Sequence, residues 1–479
     1  MYLVADVSTS GIRTSLVASD GAVRSPSHDR FDVATACRGR APMDVLTGRV
    51  LTGFARVLAS DRDGSSSVTG IVLTGSASNV VGADAGGNAV TSVLSWQDRR
   101  AWREAATMGR RGYDCATEDA IPKMMWLHAH ERSRWPLDVR LAEVADCLTF
   151  KITGEWSADL STRLRKYGAD PSGLPPSAAV LASRVPDLLD RLPEPVLETG
   201  GQAGRLNATL AGRLGIRRVP VFRAGYDTVA QMLGLGFAAC EEDLVGLSLG
   251  SSCGIFARSE SGIAAKKGMW KVYESLIPRV SVYASGHAFG GLAVDQLISR
   301  FVASADGHHL QFREELEAEA SALSFCETPL FTLNGNRMLD RVFIAQLPAI
   351  LFRRPAAVAY RVLLQTLAAE LAILYHALVL DTGLRPQRLV AGGGLASSRL
   401  LLTLLANMLN LPVCVAMSPA HSTMRGAAIG AVAGGALPSG CAAMVRFDPR
   451  PIEPCDDGQV CRRFLERYQA NRRPAKRAA

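Results

Sequence analysis

Short apolar runs closed by glycine, serine or aspartate alternate along this chain with longer runs of helical period, which predicts an α/β protein. Residues 2–7 read as a buried strand, 8–11 as a turn and 12–18 as the return strand, with a second tight turn at Asp20 and Gly21. Residues 43–59 have helical spacing; 70–74 form a strand leading into the turn 75–79. Residues 79–82 and 89–94 predict a hairpin around 85–88, and 95–101 the opening of a helix. Further helices are expected over 121–130 and 141–153, the latter stopped at Gly154. A strand at 219–222 runs through Arg223, Ala224, Gly225 and Tyr226 to Asp227, which leads a helix over 228–237.

Near Cys240 the pattern starts again. Residues 244–249 form a strand, 250–254 a turn of small residues, and 255–257 begin a return strand. Set beside LVADVSTSGIRTSL, the segment LVGLSLGSSCGIFA has the same layout, so two similar domains are expected to offer matched bends to one ligand. The break is placed at 240–243, giving domains over 1–240 and 241–440 and an extension over 441–479. Helices are expected at 292–302, 314–323 and 356–380, and beyond 437 the chain is expected to wrap the surface or fray.

The stretch 389–435 organises the second half. Apolar residues 389–391 suit a strand, Gly392, Gly393 and Gly394 follow, and Ser397 or Ser398 can cap the helix carrying Leu400, Leu401, Leu404, Leu405 and Met408. A second strand is expected within 411–417 and a small-residue helix over 424–433. Bare backbone beside the unpaired N–H groups of a helix start suits a nucleotide; an ordinary strand–helix unit with loose glycine turns would read the same.

Composition narrows the class. With 48% hydrophobic and 20% charged residues the chain is globular. No secretory leader is expected, because Asp6 follows Met1 without a long apolar run. The greasiest helix carries Arg361, Gln365, Glu370 and His376, so it reads as core and no membrane partner is expected. Ten scattered cysteines without zinc-ligand spacing read as reduced thiols of a cytoplasmic protein. The net charge of +8 is spread out, which favours a soluble enzyme with anionic ligands over a nucleic-acid binder.

Two positions carry candidate chemistry of their own. A carboxylate at the end of a buried strand, Asp6, beside a Ser/Thr/Gly turn can hold Mg²⁺ through water while the turn faces phosphate; a plain hairpin with a satisfied aspartate is the alternative. Trp96 with Asp98 and its arginine neighbours can frame a polyol, or simply start a helix over a core tryptophan.

The order of DVSTSGIR, SWQDRRA, AGYDTVAQMLGLG, LSLGSSCG, LNGNR and LVAGGGLASSR with GAAIGAVA resembles the FGGY carbohydrate kinases over residues 1–435. The resemblance implies two actin-like ATPase (ribonuclease H-like) domains with an interdomain cleft, ATP and Mg²⁺ as cofactors, and a small sugar or polyol substrate, with a homodimer left open. By that resemblance Asp227 is the general base, where an N-cap is the bland alternative, and Asp6 organises the metal. Thr9, Ser10 and Arg13, with Gly250, Ser251 and Ser252, would hold the phosphates; Gly392, Gly393, Gly394 and Ser398 the adenosine. Ser76, Ser78, Trp96 and Asp98, with Asp227, would line the sugar pocket.

The span 143–168 is similar to the pentulose-kinase side of the family and SWQDRR to glycerol kinases, so a pentulose is the first choice and glycerol, another alditol or a cyclitol the alternative. Ser8 stands where these kinases usually have glycine, Ser398 where asparagine is common, and the turn 75–79 lacks the glutamine-methionine-histidine of xylulokinases. A non-catalytic, ligand-binding regulatory member is the rival function, and Ser8 is the feature that favours it.

Overall fold

Each half of the chain builds a six-stranded sheet with its bend at the centre. The computed structural model describes residues 1–8, 11–31, 43–61, 67–110, 116–167, 187–237, 244–259, 271–277, 280–287, 290–301, 309–325, 336–339, 342–345, 347–433, 451–455 and 457–471. The expected domain break at 240–243, most of the LNGNR segment and the turn residues Thr9 and Ser10 lie outside them.

The first half contains β1 (Tyr2–Ser8), β2 (Gly11–Val17), β3 (Val23–Arg30), α1 (Met43–Ser60), β4 (Gly70–Gly75), β5 (Val80–Ala83), α2 (Trp102–Arg110) and α3 (Ala120–Glu131). It continues with β6 (Arg140–Glu143), α4 (Val144–Thr153), β7 (Ala158–Asp159), α5 (Leu160–Lys166), β8 (Val196–Leu197), β9 (Gln202–Arg205), α6 (Ala208–Leu214), β10 (Pro220–Arg223) and α7 (Asp227–Gly234). Its large sheet has the order β3-β2-β1-β4-β10-β9. Strands β1 to β3 form an antiparallel meander, and β4 and β10 run parallel to β1. Residues 3–7 of β1 and all of β4 are buried, as expected of strands covered on both faces.

The second half contains β11 (Val245–Leu249), β12 (Cys253–Ser259), β13 (Lys271–Ile277), β14 (Val280–His287), α8 (Gly291–Phe301), α9 (His309–Ala322), β15 (Asn336–Leu339) and β16 (Val342–Ala345). Then come α10 (Ala356–Thr382), β17 (Leu389–Gly392), α11 (Arg399–Leu409), β18 (Val413–Val415), α12 (Ser422–Ala433) and α13 (Gly458–Asn471). The sheet order β13-β14-β12-β11-β17-β18 repeats the first plan, with an antiparallel hairpin at the centre and parallel strands to one side. Helix α10 is long and apolar enough to cross a membrane, but most of it is buried in this half's core.

The halves interlock through α12. Its Met424, Ala427, Ala428 and Ala431 pack with Val4, Val17, Val72, Ala224 and Ala230 of the first half. The cysteines among the described residues, Cys147, Cys253, Cys414, Cys455 and Cys461, are free thiols.

Four local expectations change. Residues 141–143 are not helix but part of β6, because they pair with β5; the hairpin read at 79–94 is reduced to single bridges, Val80 to Leu94 and Ala83 to Ala89. Helix α2 begins only at Trp102, after turns over 95–101. The extension is not all frayed: Cys461, Phe464, Leu465 and Tyr468 sit at helical spacing and bury one face of α13 in the second core, masked in sequence by the charged residues between them.

Candidate active site

The first bend is built on a row of residues crossing four strands: Thr74 of β4, Asp6 of β1, Arg13 of β2 and His28 of β3 stand side by side. Asp6 is 1% exposed. Its Oδ2 accepts from Arg13 Nη1 at 3.1 Å, and Oδ1 has no hydrogen-bond partner among the described residues. Burial raises the Asp6 carboxyl above its ordinary range, with the Arg13 guanidinium acting against that shift. Ser8 turns its hydroxyl back into the hairpin, donating to the Gly11 carbonyl at 2.9 Å. Gly11 has φ +151, and a Cβ there would stand 2.5 Å from the Asp29 carbonyl and 3.0 Å from His28 Nε2.

The second bend, Gly250 to Ser252, is closed in by two glycine segments. A Cβ on Gly393, whose φ is +101, would stand 2.5 Å from the Leu249 carbonyl, so only glycine lets β17's end lie against the hairpin. The N–H groups of Gly291 and Leu292 at the start of α8 donate to the Gly250 and Ser251 carbonyls at 2.8 and 3.2 Å. Gly393 therefore lies against the second bend; the role of Gly290 and Gly291 in seating that bend was not legible.

Ser398 is the N-cap of α11, accepting from Leu401 N at 3.1 Å. Its hydroxyl donates to Glu317 of α9 at 2.9 Å, and Glu317 also accepts from Leu400 N at 2.8 Å and Tyr360 Oη at 2.9 Å. Beside this junction lies a cavity of about 620 Å³ whose lining includes Arg313, Glu317, Arg361, Ser398, Asn407 and Cys461. Glu317 carried no motif and was missed from sequence.

The turn presenting Asp227 is held from several sides. Arg223, at the end of β10 and 2% exposed, pairs with Asp146 at 3.0 Å and donates to Thr149 Oγ1 at 2.9 Å. Thr74 Oγ1 donates to the Gly225 carbonyl at 2.9 Å, where the chain bends with φ +80, and Tyr226 N donates to Ser161 Oγ at 3.4 Å. Tyr226 is the N-cap, so Asp227 is the first residue inside α7 rather than the cap. Asp227 is half-buried, and its Oδ1 accepts from Thr228 N at 2.8 Å. One turn further on, Gln231 is hydrogen-bonded to Ser248 of β11. The Asp227 turn is thus tied to β4 beside the first bend, and its helix to the strand entering the second.

Asn79 organises the remaining segment. Its Nδ2 donates to the Ser76 carbonyl and hydroxyl at 2.7 Å, its Oδ1 accepts from Trp96 N at 3.1 Å, and its own N–H donates to Glu143 at 2.8 Å. Ala77 packs with Tyr226 and Val229, placing this turn beside Asp227. Trp96 is half-buried. Asp98 is 1% exposed, and its two oxygens take the Arg100 backbone N–H and guanidinium, with a shortest contact of 2.7 Å. Arg100 in turn stacks over Trp126 at 4.7 Å. Ser78, with φ 62, is fully buried, and Ser95 and Gln97 are 3% exposed.

Family models place the chain. The N-terminal domain model of the FGGY family of carbohydrate kinases matches residues 1–234, and the C-terminal domain model matches 245–434. A xylulose kinase of Escherichia coli K12 is 24% identical over 269 residues, 54% of this chain and 54% of that protein. The chain thus spans about half the length of that curated relative. Among solved structures, a xyloylose kinase from Brucella ovis superposes with TM-score 0.73 at 21% identity, covering 98% of both chains. A gluconate kinase from Lactobacillus acidophilus superposes with TM-score 0.73 at 15% identity, covering 98% of this chain and 96% of that one. At such identities the likeness establishes the shared two-domain actin-like fold.

Proposed function

The chain belongs to the FGGY family of carbohydrate kinases, and from that premise we propose that it transfers the γ-phosphoryl group of ATP to a hydroxyl of a small sugar or polyol, with a pentulose such as xylulose or ribulose as the first choice. The observation that carries the reading is the double anchoring of the Asp227 turn, to Thr74 beside the first bend and through Gln231 to Ser248 beside the second. An aspartate held between two phosphate-facing bends has the place of a general base. The acceptor oxygen bonds to the γ-phosphorus as the bond to the bridging oxygen of ADP breaks, and the acceptor proton passes to Asp227.

The other assignments follow the same reading. Arg13, with Thr9 and Ser10 at the first bend and Gly250, Ser251 and Ser252 at the second, holds the phosphates. Gly392, Gly393 and Gly394 carry the nucleoside toward the cavity beside Glu317, where Ser398 shapes the helix start instead of reaching out, its hydroxyl being used by Glu317. The unpartnered Oδ1 of buried Asp6 suits a divalent cation reached through water, so Asp6 is the residue that would hold Mg²⁺. The cation would supply charge neutralisation on the transferring phosphates. Trp96 walls the acceptor pocket and Ser76 borders it. Asp98 acts there through Arg100, because its oxygens are already filled.

The test is ADP release from the purified chain with ATP and Mg²⁺ over ketoses, alditols, glycerol and cyclitols. Acceptor-dependent release is expected. A protein that binds ATP yet releases no ADP with any acceptor would return the function to a regulatory binding module.

A further inference from the structure

The peptide unit between Gly225 and Tyr226, just ahead of Asp227, is gripped at both ends. Thr74 Oγ1 donates to its carbonyl, that of Gly225, at 2.9 Å, and its N–H, that of Tyr226, donates to Ser161 Oγ at 3.4 Å. Gly225 has φ +80, in the left-handed region where glycine turns with little steric resistance. The orientation of this peptide, and of the Asp227 side chain that follows it, therefore depends on the two hydroxyls that hold it.

Ser161 can play this part because of Asp159. A serine hydroxyl has one hydrogen to give and lone pairs with which to accept. Ser161 gives its hydrogen to Asp159 Oδ1, which leaves a lone pair for the Tyr226 N–H. The same Oδ1 caps α5, accepting from Thr162 N at 2.9 Å and Thr162 Oγ1 at 3.1 Å. Asp159 is fixed in turn by β7, where it stands opposite Leu197 of β8. Asp159 and Ser161 are 1% and 2% exposed, so water does not compete for these bonds. A plain helix cap would need only the Thr162 N–H; the arm through Ser161 to the Asp227 turn goes beyond it.

We infer that Asp159 and Ser161 are positioning residues for phosphoryl transfer: Asp159 sets the direction of the Ser161 hydroxyl, and Ser161 holds the peptide that aims Asp227 at the acceptor oxygen. The inference rests on the kinase reading given above. Neither residue touches a reacting atom; both act through Asp227. The link from Ser161 to Tyr226 spans 65 residues of chain, so no local pattern announces it.

The experiment measures ADP release at saturating ATP and acceptor, per folded molecule by circular dichroism, for Ser161→Ala, Asp159→Asn and Asp159→Ala, alone and with Asp227→Asn added. Ser161→Ala leaves the Tyr226 N–H without its acceptor and should lower kcat about 3- to 100-fold, between the loss of one hydrogen bond and the misplacement of a reacting group. Its KM for ATP should stay within about twofold, because nothing at the nucleotide changes. Only Oδ1 of Asp159 is used, Oδ2 having no hydrogen-bond partner among the described residues. Asp159→Asn, with its carbonyl oxygen in that place, should therefore keep kcat within about threefold of the parent, whereas Asp159→Ala should fall with Ser161→Ala. In the Asp227→Asn background Ser161→Ala should add less than about twofold, since both changes act on one group. Should Ser161→Ala fail to fold, Ser161→Cys, close in size and a weaker acceptor, reads the same loss. A kcat within about twofold of the parent for the Ser161 variant, with or without a lower melting temperature, marks a purely structural link and overturns the inference. So does a loss undiminished in the Asp227→Asn background, or an Asp159→Asn as slow as Asp159→Ala; each leaves the kinase reading intact. Absence of release by the parent with every acceptor would remove both.

Discussion

Gly426 of α12 faces the carbonyl of Ala230 in α7 so closely that a Cβ at 426 would stand 1.7 Å from that oxygen. The contact is mutual, since a Cβ on Gly234 would stand 2.0 Å from the Ser422 carbonyl. Two helices, one from each half, therefore cross backbone to backbone directly behind Asp227. Helix surfaces at this separation admit only hydrogen on the inner face.

Replacing Gly426 by alanine should force the helices apart. Overpacking of this kind costs about 1–3 kcal/mol, and the displacement reaches the Asp227 turn, so both the denaturation midpoint and the turnover should fall. Gly48 on α1 has open space where its Cβ would be, and Gly48→Ala should be neutral or stabilising by up to about 1 kcal/mol. Equal melting temperatures for the two variants in urea or thermal scans would refute the close-crossing account.

Asp227→Asn keeps the size of the side chain and the contact to Thr228 N while removing the proton acceptor of the proposed mechanism. Turnover should drop about 10²- to 10⁴-fold, with ATP affinity measured by calorimetry changed little. Near-parental turnover would assign the base elsewhere.

Asp6 gives a pH signature with a defined sign. Burial raises its carboxyl in the folded protein, so the folded chain holds that proton more tightly than the unfolded chain. Stability from this group is fully present below the ordinary carboxylate range and is lost as pH rises through the raised value. Asp6→Asn should therefore melt higher than the parent near pH 7, with the gain shrinking toward about pH 4, while phosphoryl transfer is lost. A lower melting temperature for Asp6→Asn at neutral pH would mean that the Arg13 pair outweighs desolvation.

Glu317 joins α9 to the start of α11 by accepting from Ser398, Leu400 and Tyr360. Glu317→Gln weakens charge-assisted bonds at a helix N-terminus and should cost about 1–2 kcal/mol in chemical denaturation. The KM for ATP should rise several-fold with kcat near parental. An unchanged ATP KM would separate the neighbouring cavity from the nucleotide.

The sequence by itself determined the frame: strand periods at β1, β2, β11 and β17, the repeat that pairs the two bends, a serine cap at 397 or 398, Asp6 near the end of β1 and Asp227 where the chain after β10 opens a helix. These are local signals, written in residue spacing and backbone chemistry over a few positions, and no distant contact is needed to read them. Residues 141–143 were misread because an apolar run becomes strand or helix according to its neighbour, and that neighbour, β5, lies 60 residues away. Only the tertiary structure decided that Asp98 is filled by Arg100, that Glu317 holds the start of α11, that Gly426 meets Ala230, and that Asp6 Oδ1 is buried without a partner among the described residues. Whether a polar side chain is used within the protein or left for a ligand depends on what the folded chain brings within about 3 Å of it, and residue type and spacing do not encode that distance.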